Sequence, residues 1–198
     1  MKKTKEMRNI STRTLVILAV LSALSAVLMM LDFPLIFLFP GFLKLDFSDL
    51  PMLIASFWFG PLSGIAVALV KNLIHLTMSA TGGVGELANF IVSAALGGTA
   101  GLIYRLKKTK RGAAAALVGG GLVMTLVGIA ANYYITIPFF SKLYGLDAII
   151  EMSAKLIPFI NTRFDVVLYS ITPFNILKSA LIGGLTFLLY KRVKGLLK

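Results

Sequence analysis

Long apolar stretches separated by short polar segments run along most of the chain. An α-helix needs roughly 18 to 20 predominantly apolar residues to cross the ~30 Å hydrocarbon core of a bilayer. Residues 14–31, 87–104, 112–138 and 166–190 meet this requirement, the last of them interrupted only by Lys178. The first stretch exceeds the apolar segment of about 7–15 residues found in a signal peptide, so we expect it to remain as a membrane helix.

The apolar stretch at residues 49–79 is too long for one crossing. A single helix over this stretch would extend about 46 Å at ~1.5 Å per residue. It contains Gly60-Pro61, a pair that typically ends one helix and begins another. We therefore expect a short helix over about 48–59 and a full span over 61–79, which brings the predicted total to six helices.

Composition supports a membrane protein and excludes several kinds of chemistry. Of the 198 residues, 58% are hydrophobic and 14% are charged, and the mean hydropathy is +0.89. A soluble domain of this size could not bury so much apolar surface. The chain has no cysteine, which argues against thiolate chemistry, and a single histidine, which argues against a histidine-rich metal site. It also lacks a P-loop motif, which argues against a nucleotide site. We expect one transmembrane domain over residues 1–198, with no metal, no cofactor and no catalytic residue.

The net charge of +12 comes mostly from basic clusters at the ends of the predicted helices. Of the 20 Lys and Arg residues, five lie within 2–13, five within 105–111 and four within 191–198. With six crossings these three clusters fall on one side of the membrane, which is the cytoplasmic side by the positive-inside rule. We therefore expect both termini in the cytoplasm, and the charge needs no nucleic-acid partner to explain it.

Lys178 is the most informative ionisable residue, because charges inside a membrane span are costly and by default mark function. It lies one turn after Asn175, and Pro173 frees a backbone carbonyl just before both. The i,i+3 spacing places Asn175 and Lys178 on one face of the helix. The pair could hydrogen-bond a polar ligand. Alternatively it packs between helices, with Lys178 neutralised by a carboxylate such as Glu86.

A glycine-rich turn precedes the fourth predicted span, in the sequence TGGVGELAN at residues 81–89. Gly83 and Gly85 permit a ligand to approach the backbone closely, and Glu86 and Asn89 lie on the first turns of the helix that follows. Ligand recognition by this turn and a plain flexible turn with a capping Glu86 both remain open.

Further polar residues lie at membrane depth in two other spans. Asn132, followed by Tyr133 and Tyr134, suits a flat ring compound with polar edges, but also an interfacial tyrosine belt. Lys71 and His75 lie at i,i+4 on a predicted helix that carries no acidic partner after Asp49. We expect these two to pack between helices rather than to couple proton movement.

Three features suggest contacts beyond the helix bundle. Ala19 and Ala23 form a small-xxx-small face, which lets another helix approach closely and makes docking to a partner protein a serious option. Two connecting segments, residues 32–47 and 141–165, are long enough to be lids or binding loops. For the first, rich in Phe and Pro, an interfacial aromatic belt is the alternative.

The inventory of residues narrows the class of protein. No carboxylate pair, Ser–His–Asp set or metal-ligand cluster can be assembled within the spans, which argues against an enzyme. A repeated pore motif is not visible, and neither are clear repeats or intramembrane acidic residues of the kind that ion-coupled transporters carry. A helical ligand-binding bundle without its own energy source fits best, and it requires energising partners.

Five motifs, in order along roughly residues 12–192, resemble the substrate-binding S components of energy-coupling-factor (ECF) vitamin transporters. They are KLDFSDLP at 44–51, GPLSG at 60–64 with KNLIH at 71–75, GGVGELANF at 82–90, NYY at 132–134 and PFNILK at 173–178. The last three look most like the riboflavin-specific members of that family. Segment 141–165 carries no motif that can be matched.

The resemblance implies an all-α, integral membrane six-helix bundle in the plasma membrane of a prokaryote, with an external vitamin site capped by the first loop. It implies riboflavin as the transported ligand and, as partners, a transmembrane coupling subunit with two ATPase subunits. Ala19 and Ala23 would face the coupling subunit.

The same resemblance implies a set of ligand-binding residues within the matching motifs: Asp46, Gly83, Gly85, Glu86, Asn89, Asn132, Asn175 and Lys178. Asn132, Asn175 and Lys178 would hold the ribityl chain and ring edge of riboflavin. The glycines and Glu86 would approach it through backbone and carboxylate. The alternatives are an ion-coupled secondary transporter of a small aromatic solute and, less favoured, a membrane-embedded enzyme.

Overall fold

The computed structural model describes residues 11–194, without the side chains of residues 191–194. The basic residues within 2–8 and at 198, on which the predicted orientation of the termini partly rests, lie outside the described residues. The elements in chain order are α1 (Thr12–Met30), β1 (Phe33–Pro34), β2 (Lys44–Leu45), α2 (Asp49–Phe59), α3 (Pro61–Leu76), α4 (Val84–Leu106), α5 (Lys110–Ala131), the π-helical segment π1 (Asn132–Thr136), α6 (Ile137–Tyr144), α7 (Leu146–Ala154), α8 (Arg163–Asp165), the π-helical segment π2 (Val166–Ile171) and α9 (Thr172–Lys194).

The described chain is mostly helical, as the apolar pattern predicts. Four helical stretches are long and apolar enough to cross a membrane: Thr12–Met30, Val84–Leu106, Lys110–Tyr144 and Arg163–Tyr190. The third of these is longer than predicted, because the helix continues through π1 and then past Pro138 to the end of α6. Helices α2 and α3 are apolar but shorter, with 11 and 16 residues.

The predicted break at Gly60-Pro61 is confirmed. Gly60 ends α2 with φ of 101°, a conformation that residues with a side chain rarely adopt, and Pro61 begins α3, where its missing N–H has no helical partner to lose. Residues 51–57 of α2 are buried on every side. A helix that is apolar all round belongs in the interior, and α2 packs there against α1, α3, α4 and α9.

Glycines on α4 allow this central packing. A Cβ at Gly97 would overlap Met52 of α2, and a Cβ at Gly101 would overlap Pro61 at the start of α3. These close approaches bring the middle of α4 against the α2–α3 junction. The small-residue face of α4 therefore packs inside the bundle.

A proline accounts for each of the two π-helical segments. Pro138 and Pro173 each lie two residues after the end of a π segment. A proline cannot donate to the carbonyl four residues earlier, and its ring crowds that carbonyl. The turn widens instead, so that Ile137 N–H bonds Asn132 O and Thr172 N–H bonds Val167 O, each five residues back. Both helices are locally expanded as a result.

The first loop, residues 32–47, folds over α9. Its two short strands pair antiparallel, with Phe33 opposite Leu45. Phe39 is buried and its ring lies 5.3 Å, edge to face, from that of Phe174 on α9. Phe37, in contrast, is 90% exposed. The loop therefore has one face packed on the bundle and an apolar tip that projects from it.

Candidate ligand-binding site

Buried charges form a network where the first loop meets α2, α3, α4 and α9. We call the six residues that make it up the charge network: Asp46, Ser48, Asp49, Lys71, Ser93 and Lys178. Lys178 Nζ donates to Asp46 Oδ2 at 2.7 Å and lies 3.7 Å from Asp49 Oδ2. Lys71 Nζ donates to Asp49 Oδ1 at 2.6 Å and to Ser48 Oγ at 2.6 Å. Two lysines and two aspartates thus neutralise one another in the interior.

The charge network corrects one expectation drawn from the sequence. The suggested packing partner of Lys178, Glu86, is wrong: Lys178 pairs with Asp46 and Asp49 instead. Lys71 has no acidic partner on its own helix, and Asp49 reaches it from the neighbouring helix α2. Two features of the sequence could have indicated these ion pairs. Two lysines lie in apolar spans, and a segment elsewhere in the chain, DFSD at 46–49, carries two aspartates.

Asp46 is held ionised by its surroundings. Burial by itself raises the pKa of the Asp46 carboxyl, but the charges of Lys178 and Lys71 and hydrogen bonds from Lys178 and Ser48 outweigh that effect. The pKa is therefore well below its usual value. Asp46 remains an anion at neutral pH and ties the end of the first loop to α9.

Glu86 belongs to a second polar cluster, in the turn between α3 and α4. Its Oε1 lies 2.9 Å from His75 Nδ1, and its Oε2 accepts from Ser79 Oγ at 2.8 Å and Thr81 Oγ1 at 2.9 Å. The same two hydroxyls accept hydrogen bonds from the backbone of the glycine-rich turn at residues 82–85. This cluster ties the turn to the end of α3.

The two predicted glycines have different roles in this turn. Gly83 has φ of 87° and donates its N–H to Ser79 Oγ at 3.0 Å. Gly85 donates to Thr81 Oγ1 at 3.1 Å. In the structure their N–H groups are thus bonded within the turn.

Asn89 connects the turn to the charge network. Its Oδ1 accepts from Asn72 Nδ2 and from Ser93 Oγ, both at 3.3 Å. Ser93 Oγ also lies 2.6 Å from Asp49 Oδ1. The polar side chains therefore form a continuous chain from the first turns of α4 to the middle of the bundle.

Asn132 and Asn175, which we call the amide pair, converge on Gly128 of α5. Asn132 Nδ2 donates to Gly128 O at 2.8 Å. Asn175, on α9, lies so close to Gly128 that a Cβ there would collide with its amide nitrogen. That nitrogen is buried and has no hydrogen-bond partner among the described residues. Gly128 is a candidate site residue that was not predicted from the sequence.

The predicted partner face on α1 is exposed. Ala19 and Ala23 both lie on the surface of the described structure, together with Val16, Val20 and Val27. Small residues at i and i+4 leave a shallow depression between larger aliphatic side chains. The face could therefore accept a helix of another protein or the acyl chains of lipid.

These side chains can bind a polar ligand, but a metal site is not evident. Within residues 11–190, no group of three or more His, Cys, Asp or Glu side chains could hold a metal ion. Lys178 carries three N–H donors, of which one bonds Asp46, and Asn175 has two unused donors. The unused donors favour a ligand with several hydrogen-bond acceptors.

The fold and these buried polar groups define a helical membrane protein that binds a small ligand within its bundle. Residues 13–190 match the family described as the ECF transporter, substrate-specific component. The chain therefore belongs to this family, which is a family of transporter components and not of enzymes.

Two relatives and one solved structure support membership of the same family. The chain is 37% identical over 186 residues to the riboflavin transporter RibU of Staphylococcus aureus (strain TCH60), covering 94% of this chain and 93% of that protein. It is 31% identical over 188 residues to the riboflavin transporter FmnP of Bacillus subtilis (strain 168), covering 92% of each chain. A solved structure of the S component of a bacterial ECF transporter superposes with a TM-score of 0.75 at 38% identity, covering 94% of this chain and 98% of that one.

Proposed function

We propose that this protein is the riboflavin-binding S component of an ATP-driven ECF vitamin importer. The observation that carries the proposal is the 37% identity, over nearly the whole chain, to a protein named as a riboflavin transporter. The buried donors of Asn175 and Lys178 support it, because the isoalloxazine ring presents carbonyl and ring-nitrogen acceptors along one edge. Riboflavin is the transported ligand and not a cofactor.

Riboflavin binds, in this proposal, between the first loop and α9. Lys178 donates to a ring carbonyl while remaining paired with Asp46, and the amide pair, Asn132 and Asn175, bonds the ring edge and the ribityl chain. The turn that contains Gly83, Gly85 and Glu86 approaches the ligand from the other side, with Asn89 behind it. The apolar side chains of the first loop cover the flat face of the ring.

The single domain over residues 1–198 crosses the plasma membrane of a prokaryote six times, with α2 and α3 as two of the six crossings. The basic cluster at 105–111, between α4 and α5, then lies in the cytoplasm together with both termini. The first loop lies on the outside, where the vitamin arrives.

Transport requires partners, because the chain contains no nucleotide-binding motif. A transmembrane coupling subunit with two ATPase subunits supplies the energy, and the loaded bundle reorients against the coupling subunit. The exposed alanines, Ala19 and Ala23, form the contact for that subunit, since small residues let two helices approach closely.

Titration with riboflavin tests the proposal directly. Purified protein in detergent is expected to quench riboflavin fluorescence at one-to-one stoichiometry, whereas Asn132→Ala protein, which loses one amide, should quench it only at higher concentration. Thiamine, which has no isoalloxazine ring, serves as a control and should not compete. Absence of quenching by correctly folded wild-type protein would contradict the proposal. Uptake of an aromatic solute into vesicles that contain this chain alone would favour a secondary transporter.

A further inference from the structure

Many Ser and Thr hydroxyls in the described helices bond to the backbone of their own helix. Ser22, Thr125, Ser141, Ser153 and Thr186 each donate to the carbonyl oxygen four residues earlier, at 2.7 to 3.2 Å. This is the ordinary way for a helical Ser or Thr to satisfy its hydroxyl. It provides an internal standard against which other hydroxyls can be compared.

Two buried hydroxyls of the described residues have neither this bond nor any other. Thr136 Oγ1 and Ser170 Oγ are buried, and neither has a hydrogen-bond partner among the described residues. Ser170 is completely buried. Buried polar groups are nearly always hydrogen-bonded, so each exception needs an explanation.

Both exceptions lie in the π-helical segments, Thr136 in π1 and Ser170 in π2. The two segments contact each other, and Tyr133 of π1 packs against an apolar cluster that includes Val166, Val167 and Ile171 of π2. π-Helical turns within α-helices occur frequently at functional sites. The two free hydroxyls therefore lie on neighbouring expanded turns.

The π segments also adjoin the amide pair. Asn132 is the first residue of π1 and lies four residues before Thr136, while Asn175 follows Ser170 by five residues on the same continuous helix. The Asn175 amide nitrogen is itself buried and, within the described part of the chain, without a partner. Three unused polar groups thus lie on π1, on π2 and on the first turn of α9, and π1 and π2 are in contact.

We propose that Thr136 and Ser170 are further ligand-binding residues, and that their hydroxyls bond the hydroxyl groups of the ligand's sugar-alcohol chain. A hydroxyl both donates and accepts, so two hydroxyl side chains match a polyol better than a carbonyl-edged ring. This inference rests on the proposed function. It adds the two π-segment hydroxyls to the contacts of the ribityl chain and keeps Lys178 and the amide pair at the ring edge.

The test compares riboflavin with lumiflavin, which has the same ring and a methyl group in place of the ribityl chain. Ser170→Ala and Thr136→Val each remove one hydroxyl with little change of volume. Each is expected to weaken riboflavin binding roughly three- to tenfold, the effect of one hydrogen bond. Lumiflavin affinity should change less than about twofold. Matched controls are Ser153→Ala and Thr186→Val, whose buried hydroxyls bond their own helices; these should alter neither affinity.

Melting temperature separates ligand binding from a structural role. Removing a buried hydroxyl that lacks a partner should leave the melting temperature of the ligand-free protein unchanged or raise it. A lower melting temperature together with equal losses for both flavins would overturn the proposal, and so would unchanged riboflavin affinity. Equal losses at unchanged melting temperature would place the hydroxyls at the ring and overturn the assignment to the polyol. Wild-type protein that binds neither flavin would instead refute the proposed function itself.

Discussion

Replacing Lys71 by methionine tests whether the charge network stabilises the fold. Lys71 Nζ lies 2.6 Å from Asp49 Oδ1, and neither side chain is more than 1% exposed. Methionine has a similar length but no charge. The substitution therefore leaves the buried Asp49 carboxylate without its nearest cation.

The loss of stability expected for Lys71→Met follows from the geometry of the ion pair. At an effective dielectric constant of about 20, unit charges 2.6 Å apart attract by about 6 kcal/mol. The desolvation of both groups offsets part of this attraction, and removal of one partner from a buried pair typically costs about 3–5 kcal/mol. Lys178 stays 3.7 Å from Asp49 Oδ2 and retains some of the compensation. We therefore expect a loss at the lower end of this range, about 3 kcal/mol in the free energy of unfolding.

Thermal unfolding in detergent, followed by the fluorescence of Trp58, measures the effect. For a chain of this size, about 3 kcal/mol corresponds to a fall in melting temperature of roughly 6–12 °C. The matched control is Lys155→Met, whose partner Glu151 is 3.5 Å away in a pair that is more than two thirds exposed. It should change the melting temperature by less than about 2 °C. A Lys71→Met protein that melts as close to wild type as the control would refute the reasoning.

Three further substitutions address the site and the partner face. Lys178→Met should lower riboflavin affinity at least about tenfold in a fluorescence titration, because a hydrogen bond from a charged group is worth about 1.5–3 kcal/mol; a change below twofold would exclude Lys178 from the ligand. Gly128→Ala should weaken riboflavin binding, because its Cβ displaces the Asn175 amide, whereas Gly184→Ala, whose Cβ would have no other described residue within 4 Å, should bind normally. Equal affinities of these two variants would argue against the amide pair. Ala19→Leu should leave riboflavin binding and melting temperature unchanged but reduce vitamin uptake by cells, and normal uptake would place the coupling subunit elsewhere.

Features that depend on local sequence were predictable. The helix break at Gly60-Pro61 follows from the conformations that these two residues favour, and the apolar stretches account for the long helices. Lys178 and Asn175 could be identified from the sequence as a polar pair at membrane depth. Polar groups are costly inside a span, and the position of a residue within a span can be read from the sequence. Both are indeed buried.

The partners of the buried charges could not be predicted in the same way. Asp46 and Lys178 are separated by 132 positions in the chain and meet only because the first loop folds over α9. The hydrophobic periodicity of a helix indicates which of its faces is interior, but it does not indicate which side chain of a distant segment lies opposite that face. The sequence suggested a carboxylate such as Glu86 as a partner of Lys178, but in the fold Glu86 bonds His75, Ser79 and Thr81 instead.

The two π-helical segments could be predicted only in part. The prolines that cause them are visible in the sequence, but the way the two segments pack together is not. Tyr134 precedes Pro138 by four residues, and Tyr169 precedes Pro173 by the same interval, so the disturbed carbonyl can be read from the sequence in both helices. A kinked α-helix and a π-helical turn both relieve that disturbance. Which one forms depends on how the two helices pack, and π1 and π2 are in contact. The position of the Ser170 hydroxyl was therefore open until both helices were placed side by side.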